Sequence, residues 1–168
     1  MKNTGYIRNI DGSGRISIPI ELRKKFKVQE GEALVINHND ESIILTKYSH
    51  VADNKNFIKK SGDKFNLAFG YNVIITDLDD IIYSNKNFET TKVSEKTIND
   101  ILNRDLSKLE ELKLNKEITI KNNFKIAKII SYSRVTGIVI VYSDKDDDLE
   151  KHAKFLADVI NSKIEITW

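Results

Sequence analysis

The 168-residue sequence contains no cysteine, only one proline, and no long apolar run. The lack of cysteine excludes disulfides, thiol catalysis and cysteine zinc sites. No stretch approaches the roughly 20 apolar residues that a membrane-spanning helix needs, so we expect a cytoplasmic protein with no membrane partner. Hydrophobic residues nevertheless make up 40% of the chain, which is enough for packed cores in one domain or in two small ones.

Charge is distributed unevenly along a chain whose formal net charge is +2. Residues 1–28 carry seven basic and two acidic side chains, a net charge of +5, and the remainder carries −3. Arg8, Arg15 and Arg23 fall in this basic segment, although lysine is preferred elsewhere. Guanidinium groups match phosphate oxygens and the O6/N7 edge of guanine, whereas lysine is a hydrated point charge. The pattern predicts a DNA-binding module, and spacing alone leaves an ordinary solvated face equally open.

The first 50 residues have the local patterns of a small β-rich module. Residues 11–14 form a predicted turn, and Pro19 is placed to begin a short helix through Phe26. Strands are predicted over residues 4–10, 15–18, 33–37 and 42–46. A module of this size is marginal without disulfides, a metal or a partner subunit, so dimerisation is expected to stabilise it.

The remainder of the chain has the mixed helix and strand patterns of an α+β domain. Residues 51–70 have helical periodicity and predict a connecting helix, and residues 71–168 predict a second domain. Helices are predicted over residues 95–103 and 149–160, and the alternating apolar residues of segment 164–168 predict a short strand. The other predicted strands cover residues 72–76, 81–84, 117–120, 126–133 and 136–143.

The motif of residues 5–24, GYIRNIDGSGRISIPIELRK, combines charged residues, glycines, a proline and alternating hydrophobic residues in one continuous stretch. It closely resembles the N-terminal signature of AbrB-like transition-state regulators, and the resemblance continues to about residue 50. It implies a swapped-hairpin β-barrel in which two chains interleave their hairpins. Beyond residue 50, the length and the order of strands and helices resemble the C-terminal GAF-like domain of such a regulator. The expected fold class is therefore α+β, with this dimeric barrel at 1–50, a helical connector at 51–70, and a C-terminal GAF-like α/β sensor domain with an antiparallel sheet at 71–168.

The resemblance also implies a function, which is DNA-binding transcription regulation of sporulation or stationary-phase genes by an activator or repressor. The positions expected to contact double-stranded DNA are Arg8, Arg15, Arg23, Lys24, Lys2 and Lys25. The lysines at positions 2 and 25 are auxiliary phosphate contacts, and free surface lysines explain them equally well. Phosphate contacts and groove width would favour AT-rich sites and tolerate sequence variation.

The assembly that the resemblance implies is a nucleoid-associated homodimer, or a homotetramer formed as a dimer of dimers. No cofactor or metal is expected, and an unidentified small-molecule ligand of the GAF-like domain is left open. Two positions depart from the family pattern. Lys24 stands where a second arginine is frequent, which favours a phosphate contact, and Ser13 replaces a bulky aliphatic residue before Gly14.

An enzyme is the first alternative, although the sequence shows no activated nucleophile. Asp77 and Asp79 follow a predicted strand in the manner of haloacid-dehalogenase-like phosphatases, but a hairpin turn explains them more economically. Residues 144–148 resemble the start of a calcium loop, and an acidic helix cap explains them better. The three histidines, His38, His50 and His152, form no ligand-spaced pair, so we expect no catalysis.

The second alternative is an antitoxin of the MazE type, a class that shares the swapped-hairpin DNA-binding module. Such antitoxins usually end in an acidic, poorly structured tail that wraps a toxin. Here the C-terminal part is long, patterned and apolar enough to fold, which favours the transcription regulator.

Overall fold

The computed structural model describes residues 5–103, 109–121, 123–145 and 148–165. The chain divides into two compact units, with the boundary between Tyr48 and Ser49. These are called the N-terminal unit and the C-terminal unit. None of the helices within the described ranges is both long enough and apolar enough to cross a membrane.

The N-terminal unit contains one short helix and one β-hairpin. Helix α1 (Ile20–Lys25) follows Pro19, whose φ of −53° is the value that a proline ring imposes on a helix start. Strands β1 (Leu34–His38) and β2 (Ile43–Lys47) pair antiparallel, and Leu34 lies opposite Lys47. The predicted helix and the predicted hairpin are therefore both present; the helix is one residue shorter at each end, and both hairpin strands begin and end one residue later.

The predicted strands at 4–10 and 15–18 are wrong for the single chain. Residues 5–10 and 15–18 form no strand, and position 4 lies outside the described residues. Hydrophobic alternation reports which side chains share a face, but a strand exists only where a neighbour pairs with its backbone groups. Within the chain, these two segments are joined across their turn by the hydrogen bond from Asp11 N to Arg15 O, 3.0 Å long.

The C-terminal unit is built on a four-stranded antiparallel sheet, so the predicted α+β class with an antiparallel sheet is confirmed. Its helices are α2 (His50–Asp53), α3 (Lys55–Phe69), α4 (Glu95–Asn103) and α5 (Glu150–Glu165). Its strands are β3 (Asn72–Thr76), β4 (Ile81–Ser84), β5 (Glu111–Lys113), β6 (Thr119–Lys121), β7 (Phe124–Ser131) and β8 (Arg134–Tyr142). The sheet has the order β4-β3-β8-β7, and β5 and β6 form a separate hairpin.

The sheet carries a hydrophobic core on each of its faces, because successive residues of a strand point to opposite sides. Val73 and Ile75 of β3 lie in one core, which also contains Ile58 of α3 and Ile160 of α5. Ile74 lies in the other core, whose remaining members come mainly from β8, α4 and the β5–β6 hairpin. Both central strands, β3 and β8, are therefore covered on both sides.

The segment 51–70, predicted to be helical, contains most of α2 and the whole of α3 within the C-terminal unit, and α3 packs on the sheet through Ile58 and Phe65. Helix α3 ends at Gly70, whose φ of +72° is a left-handed value that glycine adopts without strain. The predicted strand at 164–168 is wrong at its first two residues, because Ile164 and Glu165 belong to α5, where Ile164 is buried. Positions 166–168 lie outside the described residues.

Candidate nucleic-acid interface

A tight turn joins the two arginine-bearing segments of the N-terminal unit. Gly14 N donates to Asp11 O at 3.0 Å, and Asp11 N donates to Arg15 O at 3.0 Å. The Asp11 side chain strengthens this turn, because its Oδ1 accepts from Ser13 N at 2.9 Å and from Arg15 N at 2.8 Å. Gly14 has a φ of +79°, a value that a side chain would strain. The turn therefore forms with serine at position 13, where the family pattern has a bulky aliphatic residue.

Arg8 and Arg15 lie on either side of this turn, and both are exposed. Arg8 Nη1 donates to the neighbouring Ile7 O at 3.2 Å, which is a local contact on the surface. The planar guanidinium carries five N–H donors in a fork that fits phosphate or guanine. The turn thus presents two permanent cations to the solvent from a backbone that hydrogen bonds hold closed.

Helix α1 places the other predicted basic residues in its last turn. Lys24 and Lys25 are exposed, whereas Arg23 is half-buried and its Nε is enclosed without a hydrogen-bond partner among the described residues. Lys25 Nζ lies 5.6 Å from the centre of the Phe26 ring, a cation–π distance. Cations at a helix C-terminus also complement the helix dipole, so these residues stabilise α1 whatever they bind. Lys2 lies outside the described residues.

Asp11 is the residue of this site that the sequence analysis did not assign. Its pKa is lowered, chiefly by the hydrogen bond from Arg15 N; desolvation opposes this as the second-largest effect, and the hydrogen bonds from Ser13 lower the pKa further. The carboxylate is therefore charged at neutral pH, in the middle of a basic surface. Aspartate at the first position of a Gly-containing turn is a recognisable signal, since its side chain can accept from backbone N–H groups two or more residues later.

The N-terminal unit leaves most of its apolar side chains exposed. Among residues 5–48, Pro19 alone is classed as buried. The exposed fraction is 89% for Ile7, 69% for Ile36 and 72% for Ile43. An isolated two-stranded hairpin with one short helix cannot cover these groups by itself.

The acidic segment after β3 is a hairpin turn in the structure. Asp77 Oδ1 accepts from Asp79 N at 2.8 Å and from Asp80 N at 2.7 Å, and its Oδ2 accepts from Ser49 Oγ at 2.8 Å. Asp80 forms an ion pair with Lys92 at 2.6 Å. These contacts give Asp77 a structural role at the start of the β3–β4 connection, as the hairpin interpretation predicts.

At the start of α5, Asp148 Oδ1 accepts from Glu150 N at 3.2 Å, and positions 146 and 147 of the acidic segment lie outside the described residues. Two histidines of the C-terminal unit have aromatic neighbours. The ring of His50 lies 5.5 Å from that of Tyr132, and burial lowers the pKa of His50. The ring of His152 lies 4.8 Å from that of Phe69.

A cleft of about 580 Å³ opens in the C-terminal unit beside α4 and the β5–β6 hairpin. Ser94 and Thr97 at the start of α4 line it, and Thr97 Oγ1 donates to Lys113 O at 2.6 Å. Lysines and carboxylates occur together in the lining, so its charge does not indicate a single class of ligand.

Comparisons with known proteins place these features in a family context. Residues 7–53 match the family described as "Antidote-toxin recognition MazE, bacterial antitoxin". The chain is 27% identical over 161 residues to stage V sporulation protein T of Bacillus subtilis (strain 168), covering 85% of each sequence. It is 52% identical over 48 residues to the transition state regulatory protein AbrB of the same strain, covering 29% of this chain and 50% of that protein. The resemblance predicted from residues 5–24 is thereby confirmed: the N-terminal segment is similar to domains of the MazE/AbrB type.

Proposed function

We propose that this protein is a DNA-binding transcription regulator, acting as an activator or a repressor on genes of sporulation or stationary phase. The observation that carries the proposal is the closed turn with exposed Arg8 and Arg15 on its two sides. Arg23 and Lys24 extend the basic surface, and Lys2 and Lys25 supply auxiliary phosphate contacts. The names of the two relatives, a sporulation protein and a transition state regulatory protein, support the same class of function.

The binding unit is a homodimer with swapped hairpins. The exposed apolar side chains of the N-terminal unit support this, because a second copy of the chain would cover them and would give residues 5–10 and 15–18 strands to pair with. Pairing two copies also duplicates the basic turn, which suits a DNA site with two-fold symmetry. A dimer of such dimers is the further assembly that we propose.

DNA recognition depends mainly on phosphate contacts and on the shape of the duplex. Helix α1 has six residues and cannot follow the major groove as a long recognition helix would. Arginines on a turn instead contact phosphates, the edges of the grooves and narrow minor grooves. Such contacts favour DNA that is AT-rich and bends easily, and they tolerate variation in its sequence. The affinity is then expected to fall steeply with salt concentration.

The C-terminal unit is a GAF-like domain that modulates DNA binding. Its antiparallel sheet with helices on both faces supports this assignment, and the cleft beside α4 is the place for a small-molecule ligand. A ligand that binds one state of this unit better than another would shift the population of DNA-binding protein.

A MazE-type antitoxin is the alternative function, and the family model that matches residues 7–53 favours it. An antitoxin would bind a toxin through the chain that follows the N-terminal unit. In this protein that chain contains two packed cores, and the similarity to stage V sporulation protein T extends over 85% of the sequence. The regulator therefore remains the better proposal.

The test is DNA binding by fluorescence anisotropy across a salt series, with the double variant Arg8→Ala, Arg15→Ala beside the unchanged chain. One arginine contact to a base edge or phosphate is worth about 1–3 kcal/mol, so the variant should bind roughly 30-fold more weakly or worse. The proposed dimer loses four arginines in this variant, so the number of ions released on binding should also decrease, by up to about four.

The matched control is Lys60→Ala, Lys64→Ala, which removes two exposed cations from α3 in the C-terminal unit. This variant should bind DNA like the unchanged chain. Equal, weak binding by all three proteins would contradict the proposed function, and capture of a toxin as a stoichiometric partner would then favour the antitoxin. Circular dichroism and light scattering establish that each variant is folded and equally assembled.

A further inference from the structure

Asp11 places a negative charge in the basic surface of the N-terminal unit. Between Gly5 and Pro19 the charged residues are Arg8, Arg15 and Asp11. A carboxylate beside a DNA-contacting surface repels phosphates and reduces the electrostatic attraction. The position of Asp11 therefore needs a physical reason that outweighs this repulsion.

The hydrogen bonds of Asp11 supply that reason, because they engage both the N–H and the C=O group of the Arg15 backbone. The side-chain Oδ1 of Asp11 accepts from Arg15 N at 2.8 Å, and the backbone N–H of Asp11 donates to Arg15 O at 3.0 Å. The same Oδ1 accepts from Ser13 N at 2.9 Å. These bonds fix the direction in which the Arg15 side chain leaves the turn.

We propose that Asp11 is a positioning residue for DNA binding, whose Oδ1 holds the turn in the conformation that presents Arg15. The inference rests on the proposed DNA-binding function. A turn that is already ordered loses little conformational entropy when its arginine contacts DNA, whereas a loose turn must be ordered during binding. The hydrogen bonds of Asp11 thus add to affinity while its charge subtracts from it.

The other turn of the N-terminal unit shows that the hydrogen bonds do not require the charge. Between β1 and β2, Asn39 Oδ1 accepts from Ser42 N at 2.8 Å and from Glu41 N at 3.0 Å. Asn39 N donates to Ser42 O at 3.0 Å, as Asp11 N does to Arg15 O. A neutral amide oxygen therefore performs the same role, so asparagine at position 11 should keep the turn and remove the repulsion.

The experiment compares Asp11→Ala and Asp11→Asn in the full chain, by anisotropy with an AT-rich duplex at one salt concentration. Asp11→Ala loses the two side-chain hydrogen bonds and should bind roughly fivefold more weakly, because the loosened turn must then be ordered during binding. Asp11→Asn should bind within about twofold of the unchanged chain or more tightly. The control Asp40→Ala removes the same charge from the exposed β1–β2 turn and should not weaken binding.

A charge effect alone would give a different result, because Asp11→Ala and Asp11→Asn would then both bind more tightly and to the same extent. That result overturns the inference and leaves the proposed function standing. Failure of the unchanged chain to bind DNA overturns the proposed function and the DNA role of Asp11 together.

Amide hydrogen exchange of Ser13 and Arg15 gives a second readout that does not depend on DNA. Both amides should be protected in the unchanged chain and in Asp11→Asn, and should exchange faster in Asp11→Ala. Unprotected amides in the unchanged chain would overturn the inference even if Asp11→Ala failed to fold.

Discussion

At the scale of single residues, side-chain oxygens that accept backbone N–H groups define several turns of this protein. Asp11, Asn39, Asp77 and Asn115 each accept from N–H groups located two to four residues later. Such bonds give a turn one preferred conformation at little cost in chain length. Sequence reasoning assigned a turn to residues 11–14, but it did not assign Asp11 a role, because charge counting treats a carboxylate in a basic segment only as a reduction of net charge.

Gly62 is a single residue on which the packing of α3 against β4 depends. A Cβ atom at this position would overlap the ring of Tyr83, whose hydroxyl donates to Asp63 Oδ1 at 2.9 Å. The hydrogen bond from Lys59, and then the one from Tyr83, lower the pKa of Asp63, so the acceptor is ionised at neutral pH. The close approach of ring and helix therefore serves a charge-assisted hydrogen bond.

We predict that Gly62→Ala destabilises the C-terminal unit. The gain in helix propensity is about 1 kcal/mol, whereas forcing a methyl group into a filled site costs about 1–3 kcal/mol and also displaces the Tyr83 hydroxyl. Urea titration followed by circular dichroism measures the change. The control Asn56→Ala, on the exposed face of the same helix, should be neutral or stabilising. A Gly62→Ala variant as stable as this control would contradict the packing argument.

At the scale of helices and strands, the sequence predicted elements best where periodicity was strong and the partner lay in the same chain. Strands β3 and β4 and helix α4 have the predicted bounds. Strand β5 was missed, because three residues with one buried side chain give too short a pattern. The strands predicted at 4–10 and 15–18 failed for another reason: alternation describes a face and does not supply the neighbour that a strand must pair with.

The β7–β8 hairpin turns through two residues with positive φ, Tyr132 at 51° and Ser133 at 61°. This geometry matches the mirror-image turns that suit the twist of antiparallel strands and that strongly prefer glycine or asparagine. The hairpin therefore forms on a turn sequence that is not the most favourable one. Pairing along β7 and β8 and the two cores stabilise it.

Ser133→Gly should stabilise the hairpin, because it relieves a left-handed conformation that costs an L-residue about 1 kcal/mol. The greater entropy of glycine in the unfolded chain offsets part of this, so we expect a gain of a few tenths of a kcal/mol. Thermal unfolding measures the effect. Ser133→Val should have the opposite effect and lower the midpoint temperature of unfolding, since a β-branched side chain is disfavoured at positive φ. Equal midpoints for the two variants would show that the turn conformation is not limiting.

At the scale of the whole molecule, the two units differ in how they obtain a hydrophobic interior. The C-terminal unit buries residues on both faces of its sheet, whereas the described part of the N-terminal unit leaves nearly all of its apolar groups accessible. The proposed dimer would stabilise the N-terminal unit through association, so we expect its stability to depend on protein concentration.

Ile43→Lys tests this dependence, because Ile43 is 72% exposed in the single chain and would be covered by a second copy. In an unassociated chain the substitution should have little effect. In a dimer it should bury a charge, lower the molecular mass measured by light scattering at low micromolar concentration, and weaken DNA binding. The control Leu67→Lys changes a residue of α3 that is 87% exposed, and it should leave the mass unchanged. Equal masses for Ile43→Lys and the unchanged chain would contradict the dimer.

Adjacent residues of strand β3 belong to different hydrophobic cores: Val73 and Ile75 lie in the core on one side of the sheet, and Ile74 lies in the core on the other. Substitutions that meet no common neighbour have nearly additive effects. The side beside α4, where the cleft lies, can therefore accumulate amino-acid changes during evolution without disturbing the packing of α3 and α5 on the opposite side.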